Sequence, residues 1–153
     1  MTRQDPAIGA IETEVALLMR RGDAARRVTP VAAHRALDRA AYLLLRRLEQ
    51  GGPQNVSALA AALHLDGSTV TRQVAALLRE GLVSRERDPR DGRGAVIAMT
   101  PAGASRLSGV RAAREQLYER ILTGWSAEER ETLARYLHRL NHAMDEHTRA
   151  PGR

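Results

Sequence analysis

Apolar residues recur with a helical period over most of the chain and with a strand-like pattern in one stretch. Ile8, Ile11, Val15 and Leu18 fall three or four residues apart with polar residues between them. That spacing predicts a helix with one narrow apolar stripe, suited to meeting a partner helix. Gly22-Asp23 is expected to end or loosen it. A second helix is predicted from Thr29, a capping residue with Pro30 at the first helical position, to Gln50, where Gly51-Gly52-Pro53 breaks it. Its Leu37, Ala41, Leu44, Leu45 and Leu48 form a wide core face.

Ser57 is placed to cap a short helix ending near Leu63, with Leu59, Ala62 and Leu63 inward, and His64-Leu65 makes a tight turn. Asp66 caps the next helix, Gly67 to Glu80, which buries Val70, Val74, Leu77 and Leu78. Ser68, Thr69, Thr71, Arg72 and Gln73 then point elsewhere near its N-terminal end, and Gly81 stops it.

From Leu82 the pattern shortens. Leu82 to Arg87 and Ala95 to Thr100 are β-prone runs around the turn-rich Asp88-Pro89-Arg90-Asp91-Gly92-Arg93, which predicts a hairpin with a charged tip. Thr100-Pro101 opens another helix, with Ala104, Leu107, Val110, Leu117 and Ile121 to one side and Gly124 at its end. Ser126-Ala127-Glu128-Glu129 is a capping box, and Leu133, Leu137, Leu140 and Met144 give the last helix a coiled-coil-like seam.

A chain of 153 residues supports one domain, or one folded unit with an oligomerisation extension. Its 24 basic residues against 18 acidic ones give a formal charge of +6, and every fixed cation is Arg, because there is no Lys. Arginine grips phosphate in a planar fork, which points to a polyanionic partner, while GC-rich codon usage explains the missing Lys equally well. Zero cysteines exclude disulfides, thiolate zinc sites and thiol redox sensing within the chain. With 3% aromatics and no Phe, an aromatic-walled cavity or a base-stacking platform is not expected. The longest apolar runs, Ala40 to Leu45 and Ala58 to Leu63, are far short of a membrane span, and Asp5, Glu12 and Glu14 occupy a start that a signal peptide would make basic then apolar. A cytosolic protein is the expectation.

A short helix, a tight turn and a second helix with small polar residues and Arg at its N-terminal end make a helix-turn-helix, whose second helix enters the major groove. Arg72 and Gln73 are the types that read guanine and adenine edges, and Ser68, Thr69 and Thr71 are short enough to allow approach to phosphates. A helical hairpin in an ordinary bundle, its polar residues in water, fits the same trace. The following basic hairpin favours nucleic acid, with Arg90 and Arg93 at the tip and Asp88 and Asp91 either bracing an arginine or closing the turn.

Val56-Ser57-Ala58-Leu59-Ala60, Ser68-Thr69-Val70-Thr71-Arg72, Gly81-Leu82-Val83, the hexapeptide 88–93, and Met99 followed by Thr100-Pro101-Ala102-Gly103 stand in this order and spacing. Together they resemble the MarR-family (multiple antibiotic resistance regulator type) winged-helix transcription factors over residues 37–103, with helical flanks that fit that family's dimerisation region. The resemblance implies a mainly α fold with a small β-hairpin wing, a winged helix-turn-helix lobe at 29–103 and interlocking dimerisation helices at 1–28 and 104–149, the last residues 150–153 fraying. It implies a homodimer acting on double-stranded DNA at a roughly palindromic operator, as a repressor. The DNA-contacting residues it implies are Ser57, Ser68, Thr69, Thr71, Arg72, Gln73, Arg85, Arg87, Arg90, Asp91 and Arg93, with Asp91 bracing the wing arginines. The dimer interface falls to Ile8, Ile11, Val15, Leu18, Leu117, Ile121, Leu133, Leu137, Leu140 and Met144. His64 stands where such proteins often have Gly, and His adopts a left-handed backbone only moderately well.

Many relatives release DNA on binding small aromatic or anionic effectors, and His34, Arg35, Arg39 and Tyr42 are placed to meet one. Residues 20–47 hold eight Arg and two acids, net +6, against net +1 for residues 66–95. Arg26, Arg27, Arg35 and Arg39 therefore suit phosphate or anion contacts, or a solvated face paired with acids of the terminal helices. A DNA-binding protein without ligand control, architectural or constitutive, remains the alternative, followed by a helical metal-binding or interaction module. His138, His142 and Glu146 share a face, but the outer two lie about 12 Å apart on a straight helix, so one ion takes at most an adjacent pair. No cofactor, metal or catalytic site is expected, and neither a phosphate loop nor a nucleophile elbow is present.

Overall fold

The computed structural model describes residues 5–28 and 37–149. In chain order these form α1 (Pro6–Val28), α2 (Arg39–Gly51), α3 (Val56–Leu63), α4 (Gly67–Arg79), β1 (Val83–Arg87), β2 (Ala95–Met99), α5 (Pro101–Ile121) and α6 (Ala127–Arg149). The architecture is mainly α with an antiparallel hairpin wing, the winged helix-turn-helix expected from the sequence.

The core lies in the lobe from Leu37 to Val110. Leu44, Leu45 and Leu48 of α2 meet Leu59 of α3, Val70, Val74 and Leu77 of α4, Leu82 and Ile97 at the wing, and Leu107 of α5. Each fully buried leucine contributes about 1.5–3 kcal/mol relative to an exposed one, so the stability is concentrated around the helix-turn-helix. The wing pairs Val83 with Met99 through Arg87 with Ala95, and Gln54 bridges Ile97 on the other side of β2. That bridge fastens the connection after α2 to the wing, with Ile97 N–H donating to the Gln54 carbonyl at 2.7 Å.

Local signals set most boundaries. Asp66 accepts from the Thr69 N–H at 2.6 Å, and Thr100 accepts from the Gly103 N–H ahead of Pro101. In the capping box of α6, the Ser126 hydroxyl accepts from the Glu129 N–H while the Glu129 carboxylate accepts from the Ser126 N–H. Gly81, at φ 70°, closes α4 in a left-handed turn whose Leu82 N–H donates back to the Leu77 carbonyl.

Four expectations need correction. The first helix does not end at Gly22-Asp23 but continues to Val28, since an internal Gly costs only about 1 kcal/mol against Ala. The second does not run unbroken from Thr29, a residue outside those described: α2 starts at Arg39, because the extended Asp38 caps it by accepting from the Ala41 N–H. Asn55, not Ser57, caps α3, accepting from the Ala58 N–H at 2.8 Å. This earlier start takes Val56 into the helix, where it packs against the core. Ala104 is exposed and its neighbour Gly103 is buried, because the first turn of α5 lies against the Leu82 carbonyl.

Candidate nucleic-acid interface

The core stripe of α4, Val70, Val74 and Leu77, determines what its other side offers. At helical spacing Ser68 and Arg72 lie opposite that stripe and are exposed, Thr71 flanks them exposed, and Thr69 and Gln73 sit half-buried on the other flank. Arg79, seven residues beyond Arg72, continues the exposed line; it stands outside the set expected from the sequence, although its spacing from Arg72 carries the signal. Two hydroxyls are already engaged within the helix: Ser68 donates to Asp66 and Thr71 to the Gly67 carbonyl. The hydrogen bonds Asp66 accepts, from Thr69 first and then Ser68, hold its carboxyl below the usual value of 3.8.

In the wing, Arg85 and Arg87 lie opposite Ile97 and Ala95, and both are exposed, as are Arg90 and Arg93 at the tip. The aspartates there close the turn. Asp88 accepts from the Arg90 backbone N–H at 2.8 Å and Asp91 from the Arg93 backbone N–H at 3.1 Å, so the bond recorded for Asp91 goes to backbone and not to a guanidinium. None of the described ion pairs engages Arg72, Arg85, Arg87, Arg90 or Arg93. Ser57 is exposed on α3, two residues past its Asn55 cap.

His64, the turn residue, has a left-handed backbone at φ 52°. Its imidazole meets Asp145 and Arg149 near the end of α6, a contact between residues too distant in sequence for spacing to reveal. At the other end of α4, Glu80 pairs with Arg106 of α5.

Of the residues placed against an effector, His34 and Arg35 lie outside the described residues, as do the side chains of Arg26 and Arg27. Arg39 pairs with Asp23 of α1 at 2.9 Å. Tyr42 is half-buried at the α2–α5 junction, with the Arg114 guanidinium 4.0 Å over its ring. Beside it Arg111 pairs with Glu49. Burial opposes the Arg111 charge, but Glu49 outweighs it and, with Tyr42, holds the guanidinium pKa above its usual value. This cation cluster has no local signature, since α2 and α5 are joined only by the fold.

The flanking helices keep their apolar residues uncovered within one chain. Ile8, Ile11 and Leu18 of α1, Ile121 of α5, and Leu137 and Met144 of α6 are exposed, while Val15, Leu117, Leu133 and Leu140 are half-buried. His142 and Glu146 face each other at 3.8 Å in solvent. Among the described residues no group of His, Cys, Asp and Glu is arranged to hold a metal ion, and no helix is long and apolar enough to cross a membrane.

The sequence matches the MarR family over residues 37–94. YxaD of Bacillus subtilis (strain 168), an uncharacterized HTH-type transcriptional regulator, is 41% identical over 108 residues, 71% of this chain and 76% of that protein. The structure of a MarR family protein from Bacillus stearothermophilus aligns with a TM-score of 0.66 at 25% identity, over 90% of this chain and 92% of that one. BpsR of Bordetella bronchiseptica, whose DNA binding is regulated by 6-hydroxynicotinic acid, shares the fold with a TM-score of 0.61 at 22% identity, over 84% of this chain and 98% of its own. A helix-turn-helix followed by a basic wing, a relative of this identity and the family match lead to one conclusion: the chain belongs to the MarR family of DNA-binding transcriptional regulators.

Proposed function

We propose that the protein works as a homodimer whose two lobes read a palindromic operator, that it represses the genes it controls, and that a small aromatic anion releases it. The observation that carries this reading is the combined exposure of Arg72 on α4 and Arg85, Arg87, Arg90 and Arg93 on the wing, none drawn into an ion pair among those described. Arg72 and Gln73 read base edges in the major groove; Ser57, Ser68, Thr69 and Thr71 approach the backbone; the wing arginines hold phosphates beside it, with Asp91 shaping the tip.

Dimerisation follows from the uncovered apolar residues of α1, α5 and α6, which a second copy related by a twofold axis buries. Residues 1–28 and 104–149 supply that interface. An effector fits between it and the lobe, where Tyr42 and Arg39 stand with Arg111 and Arg114; regulation of the structural neighbour BpsR by an aromatic acid supports this class of ligand. The protein acts by binding and not by catalysis, as its regulator relatives suggest.

The test is selection of bound fragments from random duplex DNA at about 150 mM salt, where exposed charges are screened as in cells, followed by footprinting and titration with phenolic and heteroaromatic acids. An inverted repeat with half-sites about one helical turn apart supports the reading. Salt-sensitive binding without a consensus favours an architectural role, and no binding favours an interaction module.

A further inference from the structure

Helix α4 is held at both ends by helices that lie outside the helix-turn-helix. At its C-terminal cap, Glu80 pairs with Arg106 of α5. Its N-terminal end is held through a histidine. In the turn before α4, His64 Nε2 lies 3.4 Å from Asp145 Oδ1 and 3.3 Å from Arg149 Nη2, both on α6. Helix α6 has no buried residue of its own, so this polar contact is a specific attachment to the lobe and not a by-product of core packing.

Two features mark the position of His64 as more than a turn. Its backbone is left-handed at φ 52°, a conformation that glycine takes freely and asparagine tolerates well, yet a histidine occupies it. The same ring nitrogen also faces an acceptor and a donor. Bare, Nε2 accepts from the Arg149 guanidinium; protonated, it donates to the Asp145 carboxylate and has no lone pair left for Arg149. Asp145 and Arg149 are the charged groups of α6 against the ring among the described residues. Asp66, in the same turn, is engaged with Thr69 and Ser68.

We propose that His64 is a positioning residue for DNA recognition: through Nε2 it ties the turn ahead of α4 to the end of α6, and that tie sets the half-site separation the lobe can reach. The proposal rests on α4 being the reading helix of a two-lobed dimer.

The test uses the full chain and its selected operator in three forms, with the half-sites at their native separation or one base pair closer or farther apart. Affinities are compared for wild type, His64→Asn, which keeps a residue tolerant of the left-handed backbone, and Asp145→Ala, at a solvent-facing helix position. Wild type is expected to favour the native separation by about fivefold or more, at the lower end of couplings between distinct sites. Both variants are expected to bring the three separations within about twofold, with helical content and oligomeric state unchanged. Wild-type spacing profiles in both variants overturn the role of His64 while leaving α4 as the reader. Failure of wild type to prefer any operator overturns the α4 reading, and the role of His64 with it.

Discussion

The Leu82 carbonyl oxygen sits where a side chain at Gly103 would begin: a Cβ added at Gly103 overlaps that oxygen and crowds the Met99 side chain. The same carbonyl accepts from the Thr100 N–H at 3.1 Å, so the base of the wing, the end of α4 and the first turn of α5 converge on one peptide. The orientation of the wing relative to α4 depends on that convergence.

Gly103→Ala is therefore expected to destabilise the protein although Ala is the better helix former. The helix gain is about 1 kcal/mol, whereas overpacking against backbone that cannot rotate away costs typically about 1–3 kcal/mol and also strains the Thr100 bond. Urea denaturation should show a lowered midpoint with an unchanged slope. A midpoint at or above wild type would mean that the wing base yields.

Capping of α3 separates two candidates two residues apart. Asn55→Ala is expected to cost about 1 kcal/mol, because the Ala58 N–H is left without its acceptor, while Ser57→Ala should change stability by less than about 0.5 kcal/mol. Equal effects on the melting curve would contradict the cap assignment.

These cases also mark what the sequence could reveal. Where a single strong signal stands alone, as at Asp66, Thr100-Pro101, Ser126 with Glu129, and Gly81, the predicted boundary and the structure agree. The start of α3 is less legible: Ser57 is a good capping residue by type, yet Asn55 caps the helix and brings Val56 against the core. The exposed face of α4 follows from the period of its core residues, so the candidate reading surface is legible in the sequence. The attachments of that face are not: Glu80 to Arg106, Glu49 to Arg111 and His64 to Asp145 join helices whose proximity is a product of the whole fold.

Acid should act on the start of α4. The Asp66 carboxyl is held below its usual value of 3.8, so it binds its proton less readily folded than unfolded. Its contribution is fully present above the unfolded value and disappears as pH falls through the folded one. Asp66→Asn keeps an acceptor for the Thr69 N–H and removes the titration. Its melting temperature is expected to fall less steeply than wild type below about pH 5, where the unfolded carboxyl begins to protonate. Parallel curves would refute the role of the ionised cap.

Base readout and phosphate binding separate by how their removal weakens the complex. Arg72→Ala is expected to cost about 1–3 kcal/mol and to relax one position per half-site. Arg90→Ala or Arg93→Ala should weaken all sequences alike and flatten the salt dependence by about one unit for each phosphate left unneutralised in each half. Equal weakening of every sequence by Arg72→Ala would reassign that residue to the backbone.

The flanking helices make the dimer testable without DNA. Within one chain α6 runs 23 residues without burying any, and its seam carries Leu137 and Met144 in the open while α1 does the same with Ile8, Ile11 and Leu18. Contiguous exposed apolar stripes of this kind call for a second surface to cover them. Leu137→Glu places a charge on the seam and touches neither the lobe core nor α4. By sedimentation it should yield monomers with the lobe folded, since the stabilising core lies between Leu37 and Val110. Such a monomer should protect one half-site at a time and bind the full operator no better than a single half. A Leu137→Glu protein that still sediments as a dimer with full operator affinity would place the interface elsewhere, and the apolar stripes of α1 and α6 would then need another partner.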